Sequence, residues 1–201
     1  EHSLLERAPP VHTRLRTLVN RAFVSRQVER LKPRLESLSN ALIDGFEAKG
    51  EADLITAYAS PLPVTIIADM LGIDGVMAPQ LLEWSHAMVA MYVHGRTREI
   101  EARADLASKE FAAFLRAELK LRRRRPGGDL LSQLVQAEAD GQKLSEDEII
   151  STAVLLLNAG HEATVHQTGN AVKTLLEKVE KPAKLFASDD ATARIVEEAL
   201  R

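Results

Sequence analysis

Cysteine is absent from all 201 residues. No disulfide can form within the chain, and a cytoplasmic setting is the expectation. Aromatic residues are scarce at 4%. Leu, Ala, Glu and Arg dominate instead, a balance that favours helices over sheets. No segment approaches the ~20 uninterrupted apolar residues of a membrane span, so no membrane partner is expected. Glu1 and His2 are followed by no apolar stretch of the signal-peptide kind, so no signal peptide is expected. Neither sign of charge prevails. The 26 basic and 29 acidic residues leave a net charge of -3, which gives no reason to expect a nucleic-acid partner. A nucleophile elbow, a Gly-rich phosphate loop and a dinucleotide fingerprint are all missing.

What is present is helical periodicity in a chain that is 45% hydrophobic, enough for a packed core. Pro9-Pro10 opens a first helix with Val11, Leu15, Leu18, Val19 and Ala22 as its apolar stripe. Ser25 is the expected N-cap of the next segment. There Pro33 interrupts the helical spacing, which predicts a short helix and then a longer one ending at Lys49-Gly50. Residues 51–60 read as irregular or briefly extended. Helices are predicted over 61–71, closed by Gly72, over 79–93, and over 97–125. The run Arg122-Arg123-Arg124-Arg125 falls at the end of the last of these, where cations suit the helix dipole and a binding patch is the alternative. Asp129 caps a short helix over 130–137, and Asp140-Gly141 makes a turn. Ser145 and Glu148 form a capping box that launches the longest helix, to about residue 179. Ser188-Asp189-Asp190 caps the last one. No strand of consequence is expected. The fold class is all-α, a single unit over 1–201, with helices too unequal for a simple four-helix bundle.

The centre of the longest helix departs from its surroundings. Ile149, Ile150, Ala153, Val154, Leu155, Leu156 and Leu157 are apolar nearly all round, which predicts burial. Ala159-Gly160-His161-Glu162-Ala163-Thr164 follows directly. A glycine inside a helix costs about 1 kcal/mol relative to alanine, and a buried carboxylate is costly unless paired. Two such penalties close together predict a helix opened locally for a small ligand. The alternative is a kink with a partly solvated acid. His161-Glu162 with His166 has the outline of a zinc-protease motif, but that motif needs histidines four apart on one face. These are five apart, about 140° around the helix, and no zinc site is expected from them. His12 and Arg16, four apart, share a face and can hold a carboxylate; a solvated basic face is the alternative. Glu198 and Arg201, three apart, read by themselves as a surface ion pair. His2, His86 and His94 carry no spacing signal.

Taken together and in this order, the three sites resemble the cytochrome P450s of the soluble bacterial type. Pro9-Pro10-Val11-His12-Thr13-Arg14-Leu15-Arg16, running on to Arg21-Ala22-Phe23, resembles the family's C helix. Ala159 to Thr164 resembles the oxygen-binding part of its I helix, and Glu198-Ala199-Leu200-Arg201 the Glu-x-x-Arg of its K helix. The resemblance covers essentially the whole chain. It implies a partial helical fold, the central part of one domain, without the N-terminal sheet region and the C-terminal cysteine loop that ligates haem iron. It implies a haem-thiolate monooxygenase that inserts one oxygen atom from O2 into a small organic substrate in a mostly apolar pocket, with electrons from a ferredoxin or other redox partner.

By the same resemblance, His12 and Arg16 bind the haem propionates. Ala159, Gly160, Glu162, Ala163 and Thr164 border the oxygen site, Glu198 and Arg201 form a structural ion-pair network, and residues 84–103 roof the substrate pocket as a lid. The family usually places threonine directly after the acid. Ala163 stands there in this chain and Thr164 one position later, about 100° further round the helix. Glu162 and ordered water are therefore expected to carry protons. Arg14 and Arg21 are candidates for docking an acidic ferredoxin, with a solvated basic face as the alternative. Without the cysteine, these residues alone are expected to bind haem weakly or not at all, to be inactive, and to self-associate. The competing class is a non-enzymatic helical ligand-binding or interaction module without haem.

Overall fold

Each apolar stripe read from the spacing finds a helix to pack against. The computed structural model describes residues 3–22, 25–139 and 141–200. Among them run α1 (Val11–Ala22), α2 (Ser25–Glu47), α3 (Pro61–Leu71), α4 (Ala78–Val89), α5 (Arg98–Arg124) and α6 (Leu130–Gln136). A two-stranded antiparallel hairpin follows, β1 (Glu138–Ala139) with β2 (Gln142–Lys143), and then α7 (Glu146–Lys178) and α8 (Asp189–Ala199). The all-α expectation holds; the hairpin is a connector.

On α5, Ala104, Ala107, Phe111, Leu115 and Leu119 recur three or four residues apart and are all buried. That stripe packs on α4, where Trp84 stacks on Phe111 with ring centroids 5.2 Å apart. The indole Nε1 of Trp84 donates to Glu110 Oε2 at 2.9 Å, so the ring is buried without orphaning its donor. Short α3 sits at the centre and packs on α2, α4 and α7 through Val64, Ile67, Ala68 and Leu71. Gly72 ends it at φ 71°, in the left-handed region. A Cβ there would lie 2.5 Å from Asp129 Cβ, so both the turn and the close approach require glycine.

Several expectations are corrected. Residues 25–47 form one helix with Pro33 inside it, not two. Pro33 and Glu29, whose carbonyl loses its partner, are both exposed, so water can take the freed bond. The helix begins at Ser25 itself; its expected side-chain cap lies outside the described residues, as do Phe23, Asp140 and Arg201. Residues 51–60 are not irregular throughout, since Ile55–Ala59 make a π-helical turn leading into α3. In the basic run only Arg123, Arg124 and Arg125 are exposed. Arg122 is buried; its Nε donates to Asp129 Oδ1 at 2.7 Å, its Nη1 to Glu118 Oε2 at 2.5 Å and its Nη2 to the Gly72 carbonyl at 2.6 Å. One guanidinium thus ties α5 to the end of α3 and the start of α6. The capping box behaves as read: Ser145 Oγ accepts from Glu148 N at 3.2 Å, and Glu148 Oε2 accepts from Ser145 N at 2.8 Å.

Candidate functional site

Helix α7 carries the central motif and is uninterrupted from Glu146 to Lys178, so the expected local opening at Gly160 is not present. The glycine answers to packing. Its bare side faces α3, where an added Cβ would lie 3.0 Å from Ile67 Cδ1. Thr164 Oγ1 donates to the Gly160 carbonyl at 2.9 Å, a bond to the preceding turn that a helix accommodates without opening. Burial is one-sided rather than all-round. Ile149, Ile150, Ala153 and Leu157 are buried, whereas Ala159, Ala163 and Thr164 are exposed.

Glu162 was expected to be buried and is not. Its side chain is 34% exposed and pairs with His166 Nε2 at 3.0 Å, one helical turn on. An acid at the water-facing edge of the helix escapes the desolvation cost that burial would impose. The buried residue is its neighbour. His161 is completely enclosed, and neither ring nitrogen has a hydrogen-bond partner among the described residues. Burial first, and then the adjacent His86, hold its imidazole below the ordinary histidine value, so it is neutral at pH 7. The His86 ring, from α4, lies with its centroid 5.1 Å away. Sequence reasoning missed this pair because nothing in local spacing links residues so far apart along the chain.

Beside the exposed side of α7 lies a cavity of about 480 Å³, lined by Ala163, Thr164, Gln167 and Thr168 and, from α8, by Val196 and Ala199. Gln167 Nε2 donates to the Ala199 carbonyl and ties the two helices together. Small and apolar side chains on this side leave α7 approachable by a flat apolar group. Glu198 lies on α8; its expected pairing with Arg201 falls outside the described residues.

On α1, His12 is half-buried and Arg16 exposed, and neither side chain has a hydrogen bond or ion pair among the described residues. No such bond joins them to residues 159–164 either. The link between α1 and α7 is an ion pair of Arg14 with Glu148, reinforced by Arg14 Nη1 donating to the Lys143 carbonyl at 3.3 Å. Burial pushes the Glu148 carboxyl up, but the Ser145 N–H and Arg14 outweigh it and hold the group below the ordinary range. Glu148 precedes Gly160 by twelve residues, ~18 Å along the helix axis. Arg21 Nη1 donates to the Glu138 carbonyl at 2.7 Å. Arg14 and Arg21 are thus engaged within the fold by the hairpin and the start of α7.

No family model matches the chain. Individual proteins do. Cytochrome P450 107B1 of Saccharopolyspora erythraea is 39% identical over 198 residues, covering 98% of this chain and 47% of that protein. Cytochrome P450 monooxygenase PikC of Streptomyces venezuelae is 37% identical over 203 residues, covering 100% of this chain and 47% of that protein. The crystal structure of P450BioI, in complex with an acyl carrier protein ligated to hexadec-9Z-enoic acid, matches with a TM-score of 0.91 at 31% identity, over 99% of this chain and 51% of that one. This chain belongs to the cytochrome P450 family. The chain spans about half the length of the curated cytochrome P450 relatives it matches. The likeness runs along the helices from end to end and does not rest on one motif.

Proposed function

We propose that the protein carrying this chain is a haem-thiolate monooxygenase, which inserts one oxygen atom from O2 into a small organic substrate with electrons from a ferredoxin or other redox partner. The observation that carries this reading is the 37% identity to PikC, named a cytochrome P450 monooxygenase, across 100% of this chain. Haem with a cysteine thiolate supplies the redox chemistry of dioxygen cleavage. The residues present fit such a group. Among the described residues the side chains of His12 and Arg16 are unpartnered donors one turn apart, suited to the two propionates. Ala159 and Ala163 keep α7 low on its open side, next to the apolar cavity.

Protons are the task of Glu162. Its carboxylate is part-exposed and touches the exposed His166, which gives a route from bulk water to the helix. The Thr164 hydroxyl, held on the Gly160 carbonyl, lines the cavity and helps to order water there. Among the described residues no helix is long and apolar enough to cross a membrane; cytoplasmic residence is part of the proposal.

Glu162→Gln in the full-length protein tests the assignment. Turnover should fall roughly tenfold or more, and less product should form per reductant consumed, with substrate affinity kept. Unchanged turnover and coupling would refute the proton role. The enzyme reading itself requires a cysteine elsewhere in the full polypeptide; a full-length protein with none would leave the haem-free helical module.

A further inference from the structure

We infer that His86, His161 and Glu162 form a binding site for a zinc-class divalent cation between α4 and α7. One ligand atom from each of the three lies within 4.8 Å of the others. Among the described residues, every buried side-chain nitrogen or oxygen without a hydrogen-bond partner belongs to Ser85, Asn158 or His161, all on these two packed helices. A buried polar group left unpaired keeps its desolvation cost uncompensated, and His161 carries two such nitrogens. A metal ion on one of them removes part of that cost.

The donor chemistry fits. Two imidazoles and one carboxylate with a fourth position open is a donor set that zinc accepts. The Glu162 carboxylate is divided between two histidines: Oε1 is held by His166 at 3.0 Å, while Oε2 lies 3.7 Å from His161 Nδ1. His166 therefore orients the carboxylate from behind and leaves the other oxygen free for metal. Tetrahedral zinc, with ligands at about 2.1 Å, needs donor atoms roughly 3.4 Å apart. The cluster must close by something over an ångström, and exposed His86 is the member free to move. His86 also lines a cavity of about 250 Å³ shared with Arg103, which gives an ion a way in and suits an anion in the fourth position. The site needs neither haem nor its cysteine.

Full-length protein stripped of metal, dialysed against zinc and analysed by elemental mass spectrometry, tests the inference. Wild type should retain one zinc per chain beyond the haem iron. His86→Ala alters an exposed residue and should keep the fold while weakening retention about tenfold or more. Glu162→Gln should weaken it likewise, and His94→Ala should leave it unchanged. X-ray absorption at the zinc edge should show two imidazoles. No retained zinc in wild type, or equal retention by His86→Ala, overturns the site.

Discussion

Arg122 and Asp129 set the behaviour of this molecule in acid. Burial disfavours the charge on both. For Arg122 the bonds to Glu118 and Asp129 outweigh burial and raise its pKa. For Asp129, burial pushes up, but Arg122 and the Ser132 N–H and hydroxyl push harder, and the carboxyl titrates below its ordinary range. A depressed folded-state value contributes stability that is complete above the unfolded pKa of about 3.9 and is lost as pH falls through the folded value. Glu148, held down by Ser145 and Arg14, acts in the same sense. Urea unfolding midpoints should therefore drop steeply below about pH 4. Asp129→Asn should cost about 2 kcal/mol at pH 7, by leaving Arg122 short of charge, and should flatten the acid limb. A variant with the wild-type acid limb would refute the assignment. In sequence, Arg122 is indistinguishable from the three arginines after it, because only the approach of Gly72 and Asp129 removes it from water.

Helix α2 holds a proline in mid-run and remains one element. A proline inside a helix costs up to about 3 kcal/mol, mostly a lost hydrogen bond and a clash with the carbonyl four residues back. Pro33 is on an exposed face, so the helix continues through it at reduced stability. Pro33→Ala should raise stability by about 1–3 kcal/mol, read as a higher urea midpoint with an unchanged slope. A lower midpoint would mean that the ring makes contacts worth more than the bond it removes. Where a helix boundary rests on a side-chain cap, as at Ser145, Asp129 and Ser188, it was legible, since the cap acts within three residues of itself. The turn at Ile55–Ala59 is capped as well, by Asp53 Oδ1 accepting from Ile55 N at 2.9 Å and Thr56 N at 3.2 Å, but its π-helical winding has no such local signature.

Val196 on α8 and Leu200 just after it line the 480 Å³ cavity and are 49% and 60% exposed, and Leu176, one turn beyond cavity-lining Val172 on α7, is 71% exposed. Apolar surface in water costs ~25 cal/mol per Å², and a contiguous patch of it seeks cover. A polypeptide of these 201 residues alone is accordingly expected to self-associate. Sedimentation velocity should show an average mass that rises with concentration, and Leu176→Glu with Leu200→Glu should reduce the rise. A single monomer boundary at every concentration would contradict this.

Local order along the chain determined the helices, their caps and the face shared by His12 and Arg16, because each depends on residues one helical turn apart. The ordered series from residue 9 to residue 201 was enough to point to the cytochrome P450s. Tertiary packing alone decided that Gly160 makes room for Ile67, that Glu162 meets water while His161 does not, that Arg14 pairs with Glu148 and Arg21 bonds the hairpin, and that His86 comes to lie beside His161. The reason is physical. Burial and partnership belong to the space between helices, and spacing along one helix says which side a residue faces but not what stands opposite.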